Sequence, residues 1–566
     1  MQIKQTPTPY DVCIVGSGAG GGAAAYVLTR AGANVVMLEA GPQWDAATDS
    51  AMFKMPYDSP RRGASTPEKG FGEFDGCIGD WKIEGEPYTT APGERFDWYR
   101  ARMLGGRTNH WGRISLRFGP DDFQHKTIDG LGDNWPITYD DIKPYYDQLD
   151  QLVGIFGSKE GIHNEPDGIF LPPPRPRCYE MLIKQASDKL GIPCIPSRLS
   201  ILTKSIHGRP QCHFCGQCGR GCATHSNFSS TSVFLPPALA TGKLTIITGA
   251  MAREVLTDTN GLATGVSYVN TSDAREYSVR ARAVVLAASA GESARLMFNS
   301  RSPRHPNGLS NSSGVLGKYL TDSTGLSVRG FIPKMLDTPA HNEDGVGGMH
   351  LFMPWWADNK TLDFPRGYHI EIGGGRHMPG YGFGGGIASM PGSNGGGYGK
   401  ALKDDYRKYY GATVGFAGRG EMVPNDDCYC EVDPDSVDKW GIPVLRFRWK
   451  WSDHEIRQAK HMQDTFREII HAMGGEPLGA MPGKDRDYGL EAGGRIIHEA
   501  GCTRMGSDPK TSVLNQWCQA HDARNVVVAD AGPFVTNADK NCTWTIMALS
   551  WRTSQHLADE MKKGNV

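Results

Sequence analysis

The sequence predicts an α/β protein in which a dinucleotide-binding domain is combined with a separate domain built on an antiparallel β-sheet. The first observation is a glycine-rich βαβ pattern within the first 40 residues. The second is a return of motifs near the C-terminus, where the strand-like run 525–530 ends in an acid. The third is the segment 325–480, whose strand-like pieces and dense glycine are typical of an antiparallel sheet with long loops.

The dinucleotide prediction rests on a complete βαβ unit. An apolar run leads into G-x-G-x-x-G at 16–21, a helical run follows, and a second apolar run ends at Glu39. Gly16 permits the tight turn, Gly18 lets the backbone approach a pyrophosphate, and Gly21 lets the helix pack on the strand. A carboxylate at Glu39 can accept from a ribose hydroxyl. The pattern does not separate FAD from NAD. The three segments are strand 11–15, helix 23–30 and strand 34–38.

The composition limits the class of protein. The 566 residues allow two or three domains, and the net charge of −2 gives no sign of a nucleic-acid or acidic-membrane partner. No apolar run approaches 18 residues, so we predict no transmembrane helix. The polar segment 1–9 has no apolar core, so we expect no export signal on this chain.

Four of the chain's 13 cysteines lie within the eleven residues 212–222. Their spacing, C-x2-C-x2-C-x3-C, is typical of thiolates that hold an iron–sulfur cluster, and the intervening glycines let the backbone fold around one. Zinc sites usually separate their ligand pairs by a dozen or more residues. Two disulfides, or thiols without a ligand, would also be compatible with the run. The candidate ligands are Cys212, Cys215, Cys218 and Cys222, which suffice for a [4Fe–4S] cluster or, with three of them, a [3Fe–4S] cluster.

Two further segments are candidates for ligand contact: 102–112, where polar residues follow two glycines, and 541–557, where polar residues precede a predicted helix. In 102–112, two glycines precede a polar triplet, which indicates either close approach to a ligand or a plain surface turn with a satisfied histidine. Near the C-terminus, Asn541 and Thr543 precede the apolar helix predicted at 546–557. Either residue can cap that helix, whose positive end would face a bound group. The glycines and the triplet are Gly105, Gly106, Thr108, Asn109 and His110.

The middle of the chain predicts mixed elements. The strands 244–248 and 265–270, around a turn at Asn260-Gly261, indicate a β-meander. Aromatic and glycine-rich loops, including Trp355-Trp356, suit a carbohydrate-sized ligand or are plain surface loops. The remaining predicted elements of this region are a helix at 229–239, a strand at 283–288 and a helix whose first part is 291–298.

The motifs, taken in order, resemble the glucose–methanol–choline (GMC) oxidoreductase family. The resemblance spans nearly the whole chain and implies a discontinuous Rossmann-like FAD-binding domain plus a substrate domain with an antiparallel sheet. It is carried by 16–21 with Glu39, 104–111, A-S-A-G-E-S-A-R at 288–295, His498 with 501–506, Asp530, and 541–549. The implied domains are 1–120, 225–324 and 491–566 for FAD, 121–224 for a helical and loop segment with the cysteine run, and 325–490 for substrate.

The resemblance implies an FAD-dependent oxidation of an alcohol. Hydride would pass from the alcohol carbon to flavin N5, with His498 as the base and Asn541 as its partner. The family's N-P-T sequence is Asn541-Cys542-Thr543 here, which puts the local turn in doubt. His110 matches a covalent flavin link in some members, or it can simply hydrogen-bond. The implied FAD residues are Gly16, Gly18, Gly21, Glu39, Gly105, Gly106, Asn109, His110, Ala252, Asp530 and Thr543.

The cysteine run is similar to that of bacterial membrane-associated sugar and polyol dehydrogenases, and the chain looks most like the catalytic subunit of glucoside 3-dehydrogenases. Cys212, Cys218 and Cys222 fit that group's three-thiolate [3Fe–4S] spacing, with Cys215 extra. The resemblance implies a sugar or glycoside substrate, a small subunit that carries the export signal, a cytochrome c acceptor and a periplasmic location. A cytoplasmic enzyme is the alternative.

Two different functions compete with this prediction. An oxygen-using GMC oxidase would have structural cysteines and would form peroxide with sugar. A non-catalytic electron-transfer flavoprotein would not depend on His498. The oxidised carbon stays open, with C1 of an aldose and C3 of a glycoside as the candidates.

Overall fold

Two β-sheets organise the molecule. The computed structural model describes residues 4–5, 9–50, 55, 58, 78–336, 345–354, 361–376, 383–395 and 397–566. The predicted Trp355-Trp356 pair lies outside the described residues. None of the helices in this part of the chain is both long enough and apolar enough to cross a bilayer.

The helices and strands are bounded as follows. The helices are α1 Ala19–Arg30, α2 His125–Asp129, α3 Tyr139–Val153, α4 Cys178–Lys189, α5 Ser230–Val233, α6 Leu235–Ala240, α7 Ala290–Asn299, α8 Phe383–Ala388, α9 Gly399–Tyr409, α10 Asp453–Ala472 and α11 Thr543–Lys563. The strands are β1 Lys4–Gln5, β2 Tyr10–Val15, β3 Val35–Glu39, β4 Gly79–Asp80, β5 Thr89–Thr90, β6 Arg100–Ala101, β7 Ile155–Phe156, β8 Phe170–Leu171, β9 Ile195–Pro196, β10 Leu244–Thr248, β11 Ala250–Thr257, β12 Ala263–Asn270, β13 Glu276–Leu286, β14 Ser327–Phe331, β15 Leu351–Met353, β16 Tyr368–Gly374, β17 Thr413–Gly420, β18 Tyr429–Val437, β19 Pro443–Arg448, β20 Glu476–Pro477 and β21 Val526–Val528.

The first sheet is the predicted dinucleotide-binding sheet. Its strands follow the order β10-β3-β2-β13-β12-β11, and β1 and β21 also pair with β13. The pairs β10–β3, β3–β2, β2–β13 and β13–β21 are parallel, so the sheet joins the N-terminal, middle and C-terminal parts of the chain. Strands β3 and β21 are buried along their whole length, as expected for a parallel sheet covered on its faces.

The predicted meander forms, and the predicted strand 265–270 belongs to it as part of β12, but the predicted strand 244–248 does not. Strand β10 pairs in parallel with β3, so Leu244–Thr248 belongs to the dinucleotide-binding part of the sheet. The turn at Asn260-Gly261 instead joins the antiparallel strands β11 and β12, and β12 continues to β13. The single residue Gly249, with φ +64°, separates β10 from β11, which is why the sequence does not reveal two strands there.

The second sheet is antiparallel and has the order β20-β14-β17-β16-β15-β9. Every second residue of β17 is buried, and Gly418 lies against Met462 and Phe466 of α10. The alternate residues of β16 and β17 face away from this helix. Two pairings cross the predicted domain boundaries: β9 joins this sheet, and β5 joins β18 and β19. The boundaries themselves stay a prediction.

The helix predicted at 229–239 forms as two short helices. Helix α5 ends at Val233, and α6 begins at Leu235 with proline in its first turn. The break has a simple cause, because Pro236 and Pro237 supply no backbone N–H to continue the hydrogen-bond ladder of α5. The predicted helix at 291–298 is α7, and it begins one residue earlier.

Candidate active site

A cavity of about 510 Å³ lies where the two sheets meet. The glycine turn between β2 and α1 and the end of β3 contribute to its wall, as do Glu371 and Arg419 of the antiparallel sheet. The cavity therefore connects most of the predicted dinucleotide residues with both predicted catalytic residues. The predicted residues that line it are Gly16, Gly18, Glu39, Gly106, His110, Ala252, His498, Asp530, Asn541 and Thr543.

The three motif glycines have the geometry that their positions predict. Gly16 has a φ of +98°, and a Cβ there would lie 2.4 Å from the carbonyl oxygen of Ala287. A Cβ on Gly21 would lie 1.9 Å from the carbonyl oxygen of Gly16, so the helix packs directly on the turn. Gly18 lines the cavity with nothing within 4 Å of an added Cβ, and α1 has no side-chain cap. Its helix N-terminus is therefore open to a phosphate.

Two buried acids lie elsewhere on the cavity wall. Glu39 accepts from the backbone N–H of Ser17 at 3.2 Å and of Gly41 at 2.8 Å, and burial raises its pKa. Asp530 accepts from Ser293 Oγ and from the backbone N–H of Gly532, and burial raises its pKa to about 6. Both carboxyl groups can accept hydrogen bonds from hydroxyl groups, as the ribose prediction for Glu39 and the FAD prediction for Asp530 require.

The predicted flavin loop at 105–110 is only partly directed to the cavity. Gly105 and Gly106 have φ values of +88° and +53°, which explains the glycine pair. His110 lines the cavity, and burial followed by Arg113 lowers its pKa to about 3. Asn109 does not line the cavity, because its amide donates to the carbonyl of Leu104 at 2.8 Å. Gly21 and Gly105 also lie outside the cavity wall.

His498 and Asn541 are brought together at the cavity although they are 43 residues apart in the chain. The Nε2 atom of His498 lies 3.4 Å from Asn541 Nδ2, and its Nδ1 atom lies 3.0 Å from Ser323 Oγ. An amide N–H can only donate, so Nε2 presents a lone pair and Nδ1 carries the proton. Burial, then Arg419, lowers the pKa of His498 to about 3. The imidazole is therefore neutral and able to accept a proton.

The orientation of Asn541 is set by Glu371. Asn541 Nδ2 donates to Glu371 Oε1 at 3.2 Å, and a carboxylate accepts only, so the amide nitrogen must face it. The Oδ1 atom of Asn541 is buried and has no hydrogen-bond partner among the residues that the structure describes. A buried polar atom without a partner is costly, which indicates that this side of the amide serves a bound group.

The helix that follows Asn541 differs from the prediction at its start. Helix α11 begins at Thr543, and its cap residue is Cys542 in a helical conformation, with φ −71° and ψ −18°. No side chain caps it, so the prediction that Asn541 or Thr543 does so is wrong. The cause is that Thr543 lies inside the helix, whereas the Asn541 amide is engaged by Glu371. The uncapped N-terminus adjoins the cavity, which Thr543 lines.

Sequence reasoning missed several residues of the site. Glu371 on β16 and Arg419 on β17 form an ion pair at 3.1 Å beside the two predicted catalytic residues. Burial raises the pKa of Glu371, but Arg419, the His369 contacts and the Asn541 amide together outweigh burial, and the pKa falls to about 2. The only sequence signal was the alternation H-I-E-I in β16, where polar side chains share one face.

A second buried layer supports the histidine loop. The backbone N–H of His498 donates to Asp322 Oδ1 at 2.9 Å, and Asn537 Nδ2 donates to the carbonyl of His498 at 2.8 Å. Burial, followed by Glu499, raises the pKa of Asp322 to about 7. Glu499 pairs with Arg107 at 2.7 Å, which ties this layer to the loop that carries His110.

The cysteine run packs beside the same loop. Its four cysteines are free, and no three of their sulfurs, within the described residues, lie within 4.8 Å of one another. A single tetrahedral ion would bring sulfurs to about 4 Å apart, so no preformed zinc site exists there. Burial raises the pKa of the Cys218 thiol to about 11, although the positive charge of Arg113 lowers it. The Arg113 guanidinium also donates a hydrogen bond to the carbonyl of Asn109, in the loop that carries His110.

One group of close metal-ligand side chains in the described part of the chain is an ion network. It comprises Asp122, His125 and Glu421, all buried. Lys540 lies 3.0 Å from Asp122, and Arg366 lies 2.8 Å from Glu421. Each of the two carboxylates therefore already has a cation as its partner, which accounts for their burial without a metal ion.

FAD fits the cavity on three observations. Gly18 has no side chain, so there is room for a phosphate at the uncapped N-terminus of α1. The buried acids Glu39 and Asp530 can accept hydrogen bonds from hydroxyl groups. The amide oxygen of Asn541, which has no partner among the described residues, lies beside the neutral His498. The sequence comparisons agree: the N-terminal family model of GMC oxidoreductases matches residues 19–324, and the C-terminal one matches residues 424–550. The chain belongs to the GMC oxidoreductase family. The family predicted from the motifs is therefore confirmed.

The curated relatives of this GMC oxidoreductase span nearly its whole length. It is 29% identical to the 2-methyl-1,2-propanediol dehydrogenase of Mycolicibacterium austroafricanum, over 97% of this chain and 95% of the relative. It is 27% identical to the paromamine 6'-oxidase of Streptomyces fradiae, over 98% and 92%. It is 24% identical to the fructose dehydrogenase large subunit of Gluconobacter japonicus, over 98% of each. The family's oxidation of CH–OH donors with FAD therefore applies to this chain.

The solved structures confirm the predicted fold class. Formate oxidase of Aspergillus oryzae RIB40 superposes with a TM-score of 0.66 over the full length of both chains, at 14% identity. The combination of a Rossmann-like FAD-binding domain and a substrate domain is therefore the fold of this GMC oxidoreductase. An identity this low carries information on the fold alone.

Proposed function

We propose that this GMC oxidoreductase is a dehydrogenase of sugars or glycosides that oxidises a ring hydroxyl, with C3 of a glucoside as the best candidate. The observation that carries the proposal is the placement of a neutral histidine, an oriented amide and a charged pair at one cavity. The relatives named fructose dehydrogenase and 2-methyl-1,2-propanediol dehydrogenase support a polyol substrate.

The residues divide the work of the reaction. When bound, FAD supplies the ring that accepts the hydride. His498 Nε2 accepts the hydroxyl proton, while Ser323 Oγ accepts from Nδ1–H and so maintains the reactive tautomer. The contact between His498 Nε2 and Asn541 Nδ2 is long, at 3.4 Å. A substrate hydroxyl can therefore accept a hydrogen bond from the second amide N–H of Asn541 and donate its own proton to His498 Nε2. The N-terminus of α11 favours negative charge at the cavity.

We propose that Cys212, Cys215, Cys218 and Cys222 would hold an iron–sulfur cluster, which would supply one-electron transfer out of the enzyme. The support is chemical. Four free thiols lie on one loop, and Arg113, which interacts electrostatically with Cys218 and Cys222, donates to the carbonyl of Asn109 in the His110 loop. A cytochrome c acceptor, a small subunit with the export signal and a periplasmic location complete this proposal. Covalent attachment of FAD through His110 also stays a prediction.

Two measurements test the proposal. Turnover of methyl glucosides with an artificial acceptor, followed by NMR of the product, should give a 3-keto glycoside, and oxidation at C1 of aldoses alone would contradict it. Anaerobically purified protein should contain three to four irons per flavin together with acid-labile sulfide. Flavin without iron would exclude the cluster as the route for the electrons.

An oxygen-dependent sugar or alcohol oxidase with structural cysteines is the second candidate. It is favoured by the relative named paromamine 6'-oxidase. Rapid peroxide formation with sugar by iron-free protein would establish it.

A further inference from the structure

Two charged side chains of the antiparallel sheet, Glu371 and Arg419, line the cavity beside His498 and Asn541. Glu371 and Arg419 stand on the adjacent antiparallel strands β16 and β17, where Glu371 pairs in register with Ala417. Their neighbours in sequence, Ile370 and Gly418, are buried on the α10 face, so the charged pair points to the opposite face. Both line the cavity, and their side chains are 17% and 20% exposed.

The pair keeps hydrogen-bonding capacity toward the cavity. Glu371 Oε2 lies 3.1 Å from Arg419 Nη2, and Glu371 Oε1 accepts from Asn541. Each carboxylate oxygen accepts two hydrogen bonds, and a guanidinium has five N–H donors. Arg419 uses Nη1 on the carbonyl of Gly418 and Nη2 on Glu371, so further donors are available. An acceptor and a donor thus lie side by side next to the base.

We propose that Glu371 and Arg419 form the substrate-recognition pair, which binds two neighbouring hydroxyls of an uncharged polyhydroxylated ring. The inference rests on the proposed oxidation of sugars and names the substrate class more closely. One hydroxyl donates to the carboxylate and its neighbour accepts from the guanidinium. Because the two charges cancel, the site offers no partner for a sugar acid or an amino sugar, each of which would leave one buried charge uncompensated.

The chain offers a matched control at the surface. Glu431 on β18 and Arg446 on β19 also form a cross-strand ion pair, at 2.8 Å, but they do not line the cavity. Substitution there changes the same kind of interaction without touching the substrate. The control variants are Glu431→Gln and Arg446→Met.

The test compares three methyl glycosides with one ring: the neutral glucoside, the cationic 2-amino-2-deoxy glucoside and the anionic glucuronide. In the FAD-loaded wild type we expect kcat/KM at least tenfold higher for the neutral compound. Arg419→Met should raise the ratio of cationic to neutral kcat/KM at least tenfold. Glu371→Gln should raise the ratio of anionic to neutral kcat/KM at least tenfold. The control variants should leave both ratios within twofold of wild type.

Equal loss on all three glycosides in both variants would overturn the proposal, because a merely structural pair has no charge preference. If either Arg419→Met or Glu371→Gln does not retain FAD, the kcat/KM ratio measured for the other variant still tests the proposal. If the wild type turns over none of the glycosides, the proposed function fails, and binding is then read from the change in flavin absorbance on titration with each compound. A tenfold preference for the neutral glucoside would sustain the recognition pair, and equal binding of all three would overturn it.

Discussion

At the residue scale, the reactivity of His498 depends on what surrounds its two ring nitrogens. Ser323 is fully buried, and its hydroxyl lies 3.0 Å from Nδ1. We predict that Ser323→Ala lowers kcat about tenfold, equivalent to about 1.4 kcal/mol, because the imidazole is no longer fixed in the reactive tautomer. Steady-state kinetics at constant FAD content checks this.

The control for Ser323 is Ser312, whose hydroxyl donates to Asp522 at 2.9 Å in an exposed position. Ser312→Ala should leave kcat unchanged, and Ser323→Thr should restore most of the loss. A kcat within twofold of wild type in Ser323→Ala would show that the hydrogen bond does not matter for the reaction.

The pH dependence follows from the direction of the pKa of His498. The pKa is lowered to about 3, by burial first and by Arg419 next, so the imidazole stays unprotonated above that pH. Removal of the Arg419 charge raises this pKa, and removal of the Glu371 charge lowers it. We therefore predict that the acid limb of kcat/KM moves to higher pH in Arg419→Met and to lower pH in Glu371→Gln. A limb near pH 6.5 that neither variant moves would contradict this prediction.

At the element scale, the β2–α1 turn separates folding from cofactor binding. An added Cβ on Gly18 meets nothing within 4 Å but enters the cavity wall. We predict that Gly18→Ala leaves the free energy of unfolding of the FAD-free protein within about 1 kcal/mol of wild type. The dissociation constant for FAD should rise at least tenfold. Denaturant unfolding and FAD titration measure the two effects.

Two further glycines serve as controls for that result. Gly16→Ala would place a Cβ 2.4 Å from the carbonyl oxygen of Ala287. This variant should therefore have a lower free energy of unfolding and should bind FAD more weakly. Gly32 has a φ of +102° but open space around it, so Gly32→Ala should cost only about 1–2 kcal/mol and retain FAD. If Gly18→Ala binds FAD as tightly as wild type, the pyrophosphate does not lie against the β2–α1 turn, and the prediction is wrong.

The elements that the sequence predicted best are those with local signals. The βαβ unit depends on contacts within 40 residues, and its glycines and Glu39 lie where the motif predicts. The pairing of β10 with β3 was missed because parallel partners about 200 residues apart carry no local signal. The pair of Glu371 and Arg419 was missed for the same reason, since only the register of β16 and β17 brings them together.

At the scale of the whole molecule, a buried ion network joins the catalytic loop to distant parts of the chain. Lys540, beside Asn541, lies 3.0 Å from Asp122, with both side chains at most 3% exposed. We predict that Lys540→Met destabilises the protein by about 3–5 kcal/mol, because the buried carboxylates of Asp122 and Asp539 both lose the lysine that pairs with them. Urea unfolding measures this. The exposed pair of Lys563 and Glu560, at 2.9 Å, is the control, and Lys563→Met should cost less than about 1 kcal/mol. Equal costs for both variants would show that the buried network is not needed for stability.

The fold of the whole molecule brings His498 to the cavity, and we propose that this histidine is the base in the FAD-dependent oxidation of a sugar hydroxyl. The most direct measurement is the anaerobic rate of flavin bleaching after mixing with excess methyl glucoside, for wild type and His498→Ala, both with full FAD content. We predict rapid bleaching in wild type and a rate lower by about a thousandfold in the variant, within the range for loss of a general base. Bleaching in His498→Ala at the wild-type rate would contradict the role of His498 as the base.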